Sequence, residues 1–249
     1  LFVIFATASG GVRRNKLSDF RKVNANGKIA MKLDEGDHLV RVRVFEEDQN
    51  VFLATRKGKC VRFPVTDVRV FSSRNSTGVR GIRLVDDDEV IAMSGLNHIK
   101  VEVAERDKYL RSVNASRRLI SGDYTDRAED KARDEAAAAK LQEPLFQEMH
   151  QEEEFILTVT IDGFGKRSSA YGYRISRRGG KGIDSMDVKR GKELTEVVST
   201  IPVLTTDQLV MVSDGGQLIR MPVDGISNTG RTSRGVTLFK VADQERVVS

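Results

Sequence analysis

The segment that decides the fold is residues 51–65, VFLATRKGKCVRFPV, because it recurs as residues 209–223, LVMVSDGGQLIRMPV. Two further copies begin at Phe2 and Phe155. All four copies place a glycine four residues before a basic residue, in the pairs Gly10/Arg14, Gly58/Arg62, Gly163/Arg167 and Gly216/Arg220. Recurrence with a period of about fifty residues is typical of a repeat architecture.

Each copy has the pattern of a β-hairpin, since two apolar runs flank a short loop rich in Gly, Asp or Lys. Asp162-Gly163 and Asp214-Gly215 supply the positive φ angles that tight hairpin turns need. A third strand is predicted to open at a later glycine, and a fourth apolar run closes each unit. The predicted third strands open at Gly27, Gly81, Gly182 and Gly235. We therefore predict an all-β, propeller-like disc of four-stranded antiparallel blades at about 1–48, 51–96, 155–200 and 208–249.

The strand pattern stops between about residues 104 and 154, where we predict a helical insertion. Residues 123–140 are rich in Ala, Glu, Lys and Arg, with Glu129 and Arg133 at helical i,i+4 spacing. Pro144 is expected to end or break the helix. A charged stretch of this kind is more often a solvated elaboration than an active site.

The net charge of +5 conceals an uneven distribution along the chain. Residues 123–154 contain 11 acidic and 4 basic residues, a net charge of −7, so the remainder carries +12. Such an excess creates a positive field that attracts polyanions, and nucleic acid is the leading partner. The alternative is ordinary solubility charge.

The sequence offers little for catalysis or metal binding. His38, His98 and His150 are far apart and lack ligand spacing with each other or with Cys60. The acidic run 86–89 is interpreted as a polar turn, and no serine or cysteine stands in a nucleophile motif. We predict no catalytic residue, metal or cofactor, and the single cysteine suits a reducing compartment such as the cytoplasm. The apolar run at residues 1–5 is too short to span a membrane, so no membrane partner is expected.

Residues 176–182, SRRGGKG, combine three cations with three glycines. They differ from a Walker loop, because Lys181 is followed by Gly182 and the position of the earlier glycine is taken by Ser176. Glycines allow a backbone to approach phosphates closely. A loop of this type between two strands can place Arg177, Arg178 and Lys181 on consecutive phosphates, which gives affinity without reading bases. The alternative is a flexible glycine loop.

The segment 177–182 resembles the box that marks the C-terminal domain of DNA gyrase A subunits, and segments 77–84, 27–33, 163–167 and 230–236 are similar to the blade motifs of that family. The resemblance covers nearly all of the chain except the insertion. The family box usually begins with glutamine, where this chain has Ser176, and usually lies in the first of about six blades rather than the third of four.

The resemblance implies a β-pinwheel, a propeller-like disc whose blades exchange strands and whose basic rim wraps double-stranded DNA. It also implies partnership with the rest of the gyrase A subunit, together with the gyrase B subunit, in ATP-dependent negative supercoiling in the bacterial cytoplasm at the nucleoid. The DNA-cleaving tyrosine of the family belongs to another domain, so the chain is expected to be a non-catalytic part of a topoisomerase.

The predicted DNA contacts are the residues of the box and basic residues of the blade motifs: Arg177, Arg178, Gly179, Gly180, Lys181, Gly182, Arg14, Arg62, Arg80, Arg83, Lys166, Arg167, Arg220, Arg231 and Arg234. Three other classes of protein are alternatives. The related C-terminal domain of the topoisomerase IV A subunit has degenerate boxes, whereas segment 177–182 is well formed. Protein-interaction propellers of the WD and kelch types use tryptophan, which this chain lacks. A propeller enzyme needs clustered catalytic or metal residues.

Overall fold

The structure is a computed structural model that describes residues 1–22, 24–85, 87–121, 128–242 and 244–248, without the side chain of Ala128. The chain divides into two compact units, one formed by Leu1–His98 with Glu154–Ser249 and the other by Ile99–Glu153. Among the described residues, no helix is long and apolar enough to cross a membrane.

The first unit is built from short strands. Its described residues form 16 strands, which in chain order are β1 (Phe2–Thr7), β2 (Gly11–Lys16), β3 (Leu39–Phe45), β4 (Asn50–Thr55), β5 (Lys59–Pro64), β6 (Val79–Arg80), β7 (Val90–Leu96), β8 (Phe155–Thr160), β9 (Phe164–Ser169), β10 (Ile183–Asp184), β11 (Lys189–Arg190), β12 (Glu193–Leu194), β13 (Val197–Val203), β14 (Gln208–Val212), β15 (Leu218–Pro222) and β16 (Val236–Thr237). A single 3-10 turn follows the second strand of each hairpin, at Leu17–Phe20, Val65–Asp67, Ala170–Gly172 and Val223–Gly225.

These strands form three antiparallel sheets of four strands, in the orders β3-β1-β2-β6, β10-β5-β4-β7 and β13-β8-β9-β16. The pairs β14-β15 and β11-β12 form two-stranded sheets. The prediction of an all-β fold with a helical insertion is confirmed.

Each four-stranded sheet takes three strands from one repeat and a short edge strand from the next repeat. Val79 of β6 pairs with Val12 of β2, and Ile183 of β10 pairs with Cys60 of β5. The third sheet takes β16 in the same way. The prediction that each repeat forms its own four-stranded sheet is therefore wrong for the third strand. The borrowed strand covers backbone groups that the outer edge of the sheet would otherwise expose.

The first and fourth repeats also differ from the predicted blades. The segment after Gly27, predicted as a strand, forms none. Among the residues that the structure describes, the β14-β15 hairpin has no third or fourth strand, and an isolated bridge joins Ser213 to Val247. The regions 1–48 and 208–249 are thus not complete sheets by themselves.

The apolar core lies in layers between consecutive sheets. One cluster joins the first and second sheets, including Ile4, Leu53 and Ile82. A second, including Phe52 and Tyr173, joins the second sheet to the third, and a third cluster packs the third sheet against the β14-β15 hairpin. Strand β7 contacts both β3 and β13, and in each four-stranded sheet the borrowed strand lies at the edge opposite to these strands.

The second unit is helical, with α1 (Val103–Ser121), α2 (Ala128–Ala139), a 3-10 turn (Lys140–Gln142) and α3 (Pro144–Gln151). Pro144 interrupts the helical run as predicted and begins α3, a position where its missing N–H costs nothing. Arg133 pairs with Asp130 at 3.1 Å rather than with the predicted Glu129. The buried Tyr109 ring packs edge-on against Phe146, and its hydroxyl donates to the Glu153 carboxylate at 2.8 Å.

Candidate nucleic-acid interface

Three loops run along the outer edges of the sheets, just before each borrowed strand. We call residues 71–78, 176–182 and 229–235 the second, third and fourth edge loops, after their repeats. The first residue of each loop donates its backbone N–H to a carbonyl in the preceding sheet. In each case the acceptor belongs to the basic residue that follows the turn glycine by four positions. The three bonds, each 2.8 Å long, are Phe71 to Arg14, Ser176 to Arg62 and Thr229 to Arg167.

Each edge loop ends at a glycine that no other residue can replace without strain. Gly182 has a φ of 75°, and a Cβ on it would lie 2.5 Å from the carbonyl oxygen of Cys60. Gly78 is equivalent, because its Cβ would lie 2.5 Å from the carbonyl oxygen of Val12. The predicted correspondence of Gly182 with Gly81 is therefore wrong. Gly81 instead donates to Gly10 as Ser185 donates to Gly58, because the second edge loop is one residue longer than the others.

The third edge loop is hydrogen-bonded to the second repeat. The N–H of Gly179 donates to the carbonyl of Gly81 at 2.6 Å, and the N–H of Arg83 donates to the carbonyl of Gly180 at 2.8 Å. This junction joins the glycines of the predicted box to the borrowed strand β6 and the residues that follow it.

The two segments that this junction joins carry four exposed cations: Arg80, Arg83, Arg177 and Lys181. In the part of the chain that the structure describes, none of them forms an ion pair with a carboxylate. We call this set the junction cations. Exposed cations beside glycine backbone are suited to binding phosphate groups.

Arg178, although it belongs to the predicted box, is half-buried and makes contacts of a different kind. Its Nε donates to the carbonyl of Asp67 at 2.8 Å, and a terminal guanidinium nitrogen donates to the carbonyl of Arg80 at 3.0 Å. Its donors are thus directed at backbone of the second repeat.

The corresponding junction between the third and fourth repeats is less positive. Asp184 lies two residues after the glycine that ends its edge loop, as Arg80 does in the preceding repeat. Asp187 lies five residues after that glycine, as Arg83 does. Asp184 pairs with Lys59 at 2.5 Å, and Arg231 donates to the Asp184 carbonyl. Arg234 is exposed at this junction, as Arg220 is on β15.

Several of the predicted contacts are buried, and the prediction is corrected for them. Arg62 is 1% exposed and donates to the carbonyls of Ala170 at 2.8 Å and Asn97 at 2.5 Å. Arg14 is 5% exposed, with its guanidinium over the Phe2 ring, and burial lowers its pKa. Half-buried Arg167 lies over the ring of Phe155 in the same way.

Lys166 is also buried, and it holds the fourth edge loop from beneath. Its Nζ donates to the carbonyls of Gly230, at 3.0 Å, and of Arg231. Burial, together with the smaller effect of the positive charge of Arg231, lowers the pKa of Lys166 to about 7. This amine is therefore a structural group rather than a phosphate contact.

The burial of Arg62 had a signal in the sequence that the prediction missed. Arg62 lies directly across from Phe52 in the β4-β5 pair, and residues in such a pair share one face of the sheet. Phe52 and Cys60 both lie in the core cluster between the second and third sheets. The prediction also missed the exposed cations Arg174, beside the box, and Lys189 and Lys192, in or beside β11.

The repeated hairpins, exchanged edge strands and basic edge loops define a β-propeller-type domain. The family model for the DNA gyrase C-terminal domain, described as a beta-propeller, matches residues 2–46, 49–97, 154–200 and 207–249. The chain belongs to this DNA gyrase C-terminal domain family.

Curated relatives agree with this assignment. The DNA gyrase A subunit of Rickettsia bellii is 48% identical over 250 residues, a match that covers 100% of this chain and 27% of the relative. The DNA gyrase A subunit of Granulibacter bethesdensis is 47% identical over 259 residues, with the same coverage. The chain thus spans about a quarter of the length of these relatives.

Two solved structures share the fold across 100% of this chain. A DNA gyrase A C-terminal domain aligns with a TM-score of 0.68 at 21% identity over 64% of its own chain. The C-terminal domain of DNA topoisomerase IV aligns with a TM-score of 0.71 at 16% identity over 60%. The fold alone therefore does not separate gyrase from topoisomerase IV, whereas the two curated sequence relatives named above are gyrase A subunits. The family match also decides against the WD and kelch classes.

Proposed function

We propose that this chain binds the backbone of double-stranded DNA, independently of sequence, and wraps it in support of ATP-dependent negative supercoiling by a gyrase holoenzyme. The proposed protein partners, in the bacterial cytoplasm at the nucleoid, are the gyrase B subunit plus the remainder of the gyrase A subunit. We further propose that the chain itself is non-catalytic and requires no cofactor.

The observation that carries the proposal is the set of junction cations. Arg80 and Arg83 come from one repeat and Arg177 and Lys181 from the next, and the hydrogen bonds of Gly179 and Gly180 hold the two segments together. Positive groups on fixed backbone are suited to successive phosphates, which are separated by a fixed spacing along DNA. The family assignment and the charge of +12 outside residues 123–154 support the same partner.

Salt dependence tests the binding. If each junction cation neutralises one phosphate, together they contribute about −3.6 to the slope of log affinity against log salt. We expect the double variant Arg177→Ala/Lys181→Ala to reduce the magnitude of the slope on linear DNA by about 1.8. The charge-matched control is Arg41→Ala/Arg43→Ala, whose exposed side chains lie on β3 at the other edge of the first sheet. Equal slopes for the two double variants would contradict the proposed surface.

Wrapping needs a separate measurement, since bending DNA over a short site costs on the order of several kcal/mol that only contacts continued along its path can offset. Plasmid is relaxed and religated in the presence of the chain, and the linking number is then measured. A shift that the junction double variant loses and the control variant keeps is the expected result. Binding without a shift would leave DNA binding in place and refute wrapping by this chain.

A further inference from the structure

Arg178 lies within the predicted phosphate-binding box, yet its donors are engaged with protein. Two of its nitrogens bond to carbonyls of the second repeat, those of Asp67 and Arg80. Its neighbour Arg177 is exposed, whereas Arg178 is half-buried. The adjacent arginines therefore have different surroundings, which indicates different roles.

The same contact recurs one repeat later. Arg178 and Arg231 each lie four residues before the glycine that ends their edge loop. Arg178 donates to the carbonyl of Arg80, and Arg231 donates to the carbonyl of Asp184. Arg80 and Asp184 themselves occupy the same position, the second residue of a borrowed strand. A contact that recurs at two junctions with different neighbours is a property of the architecture.

The other edge loops have an additional cationic anchor that the third loop lacks. Arg13, buried in β2, donates to the carbonyl and, at 2.6 Å, to the hydroxyl of Ser76 in the second edge loop. Lys166 holds the fourth edge loop in the same way from β9. The corresponding position beneath the third edge loop is Val61, which has no donor side chain. Arg178 supplies from the loop itself the anchor that β5 does not provide.

We propose that Arg178 is a positioning residue: it clamps the third edge loop to the second repeat and so fixes the spacing of the junction cations, without itself contacting phosphate. The proposal rests on the proposed DNA-binding function. A guanidinium can donate in two directions from one rigid plane, and a lysine ammonium cannot reproduce that fork. Arg178→Lys keeps the positive charge but loses the two-directional donor geometry, so this variant distinguishes a clamp from a phosphate contact.

The test compares Arg178→Ala and Arg178→Lys with Arg177→Ala and Arg177→Lys. Hydrogen exchange of the Gly179 and Arg83 amides is measured first, without DNA, because these amides form the bonds between the two repeats. Both Arg178 variants are expected to accelerate the exchange by roughly tenfold, because the local bonds open more often, and neither Arg177 variant is expected to change it. Unchanged exchange in the Arg178 variants would overturn the clamp.

DNA affinity and its salt slope are measured next. We expect Arg177→Lys to bind like the parent and Arg177→Ala to lose about 0.9 from the slope. Both Arg178 variants are expected to lose roughly tenfold in affinity, since lysine cannot restore the fork. If Arg178→Lys instead restores affinity and Arg178→Ala loses slope as Arg177→Ala does, Arg178 is a phosphate contact and the proposal fails. A parent chain that does not bind DNA would overturn the proposed function, while the exchange result still decides whether the clamp exists.

Discussion

Replacement of the buried Arg62 by methionine should destabilise the fold and leave DNA binding unchanged. Methionine keeps much of the aliphatic volume but removes the donors that reach Ala170 at 2.8 Å and Asn97 at 2.5 Å. A hydrogen bond to a charged group contributes about 1.5–3 kcal/mol, and the carbonyl left without its partner loses more when buried. Because Asn97 itself is exposed, we expect a loss of about 3 kcal/mol in the free energy of unfolding.

Thermal unfolding provides the measurement. For a chain of this size, about 1 kcal/mol corresponds to about 2–4 °C in Tm, so Arg62→Met should lower Tm by roughly 6–12 °C. The matched control is Arg177→Met, which replaces an exposed arginine and should leave Tm nearly unchanged while reducing the salt slope by about 0.9. The reasoning is refuted if Arg62→Met reduces the salt slope in the same way and leaves Tm unchanged, because Arg62 would then be a phosphate contact.

Three further predictions concern other sites. The folded pKa of Lys166, about 7, lies below its ordinary value, so the unfolded chain binds more protons than the folded chain above pH 7. The free energy of unfolding should therefore rise by about 1 kcal/mol from pH 6 to pH 8. Denaturant titrations of Lys166→Met should show no such rise. Gly182→Ala should cost at least about 1–2 kcal/mol through its positive φ and the clash with the Cys60 carbonyl, whereas the control Gly180→Ala, whose Cβ would have no atom nearer than 4.0 Å, should be nearly neutral in Tm. Tyr109→Phe should destabilise the helical unit by about 1 kcal/mol in denaturant unfolding followed by helical circular dichroism, and a reduced salt slope for DNA would contradict its assignment as a core residue.

The hairpins and the helical insertion could be predicted from sequence because their signals are local. Apolar runs around turn glycines determine the β4-β5 and β14-β15 pairs, and both form as expected. The edge strands could not be assigned in this way, since β6 and β10 are only two residues long and owe their pairing to a neighbouring repeat. The one-residue difference in loop length then led to the incorrect choice of Gly81 over Gly78.

The site shows a similar division between local and tertiary information. The glycines and exposed cations of residues 176–182 mark the loop in the sequence, and the structure places Arg177 and Lys181 in solvent. The basic residue four positions after each turn glycine had no such mark, because its burial depends on the sheet that packs against it. The different surroundings of Arg177 and Arg178 depend on carbonyls about one hundred residues away in sequence, at Arg80 and Asp67.

Each four-stranded sheet is completed by an edge strand from the following repeat. Repeat boundaries are therefore poor places to shorten this chain. Ending the chain before Asp207 would remove β16 and leave the outer backbone of β9 unpaired on the third sheet. A bare strand edge of this type invites pairing with other molecules and hence aggregation. A shortened chain for solution work should therefore retain the segment through Thr237, with the β14-β15 hairpin that precedes it, so that the third sheet keeps its cover.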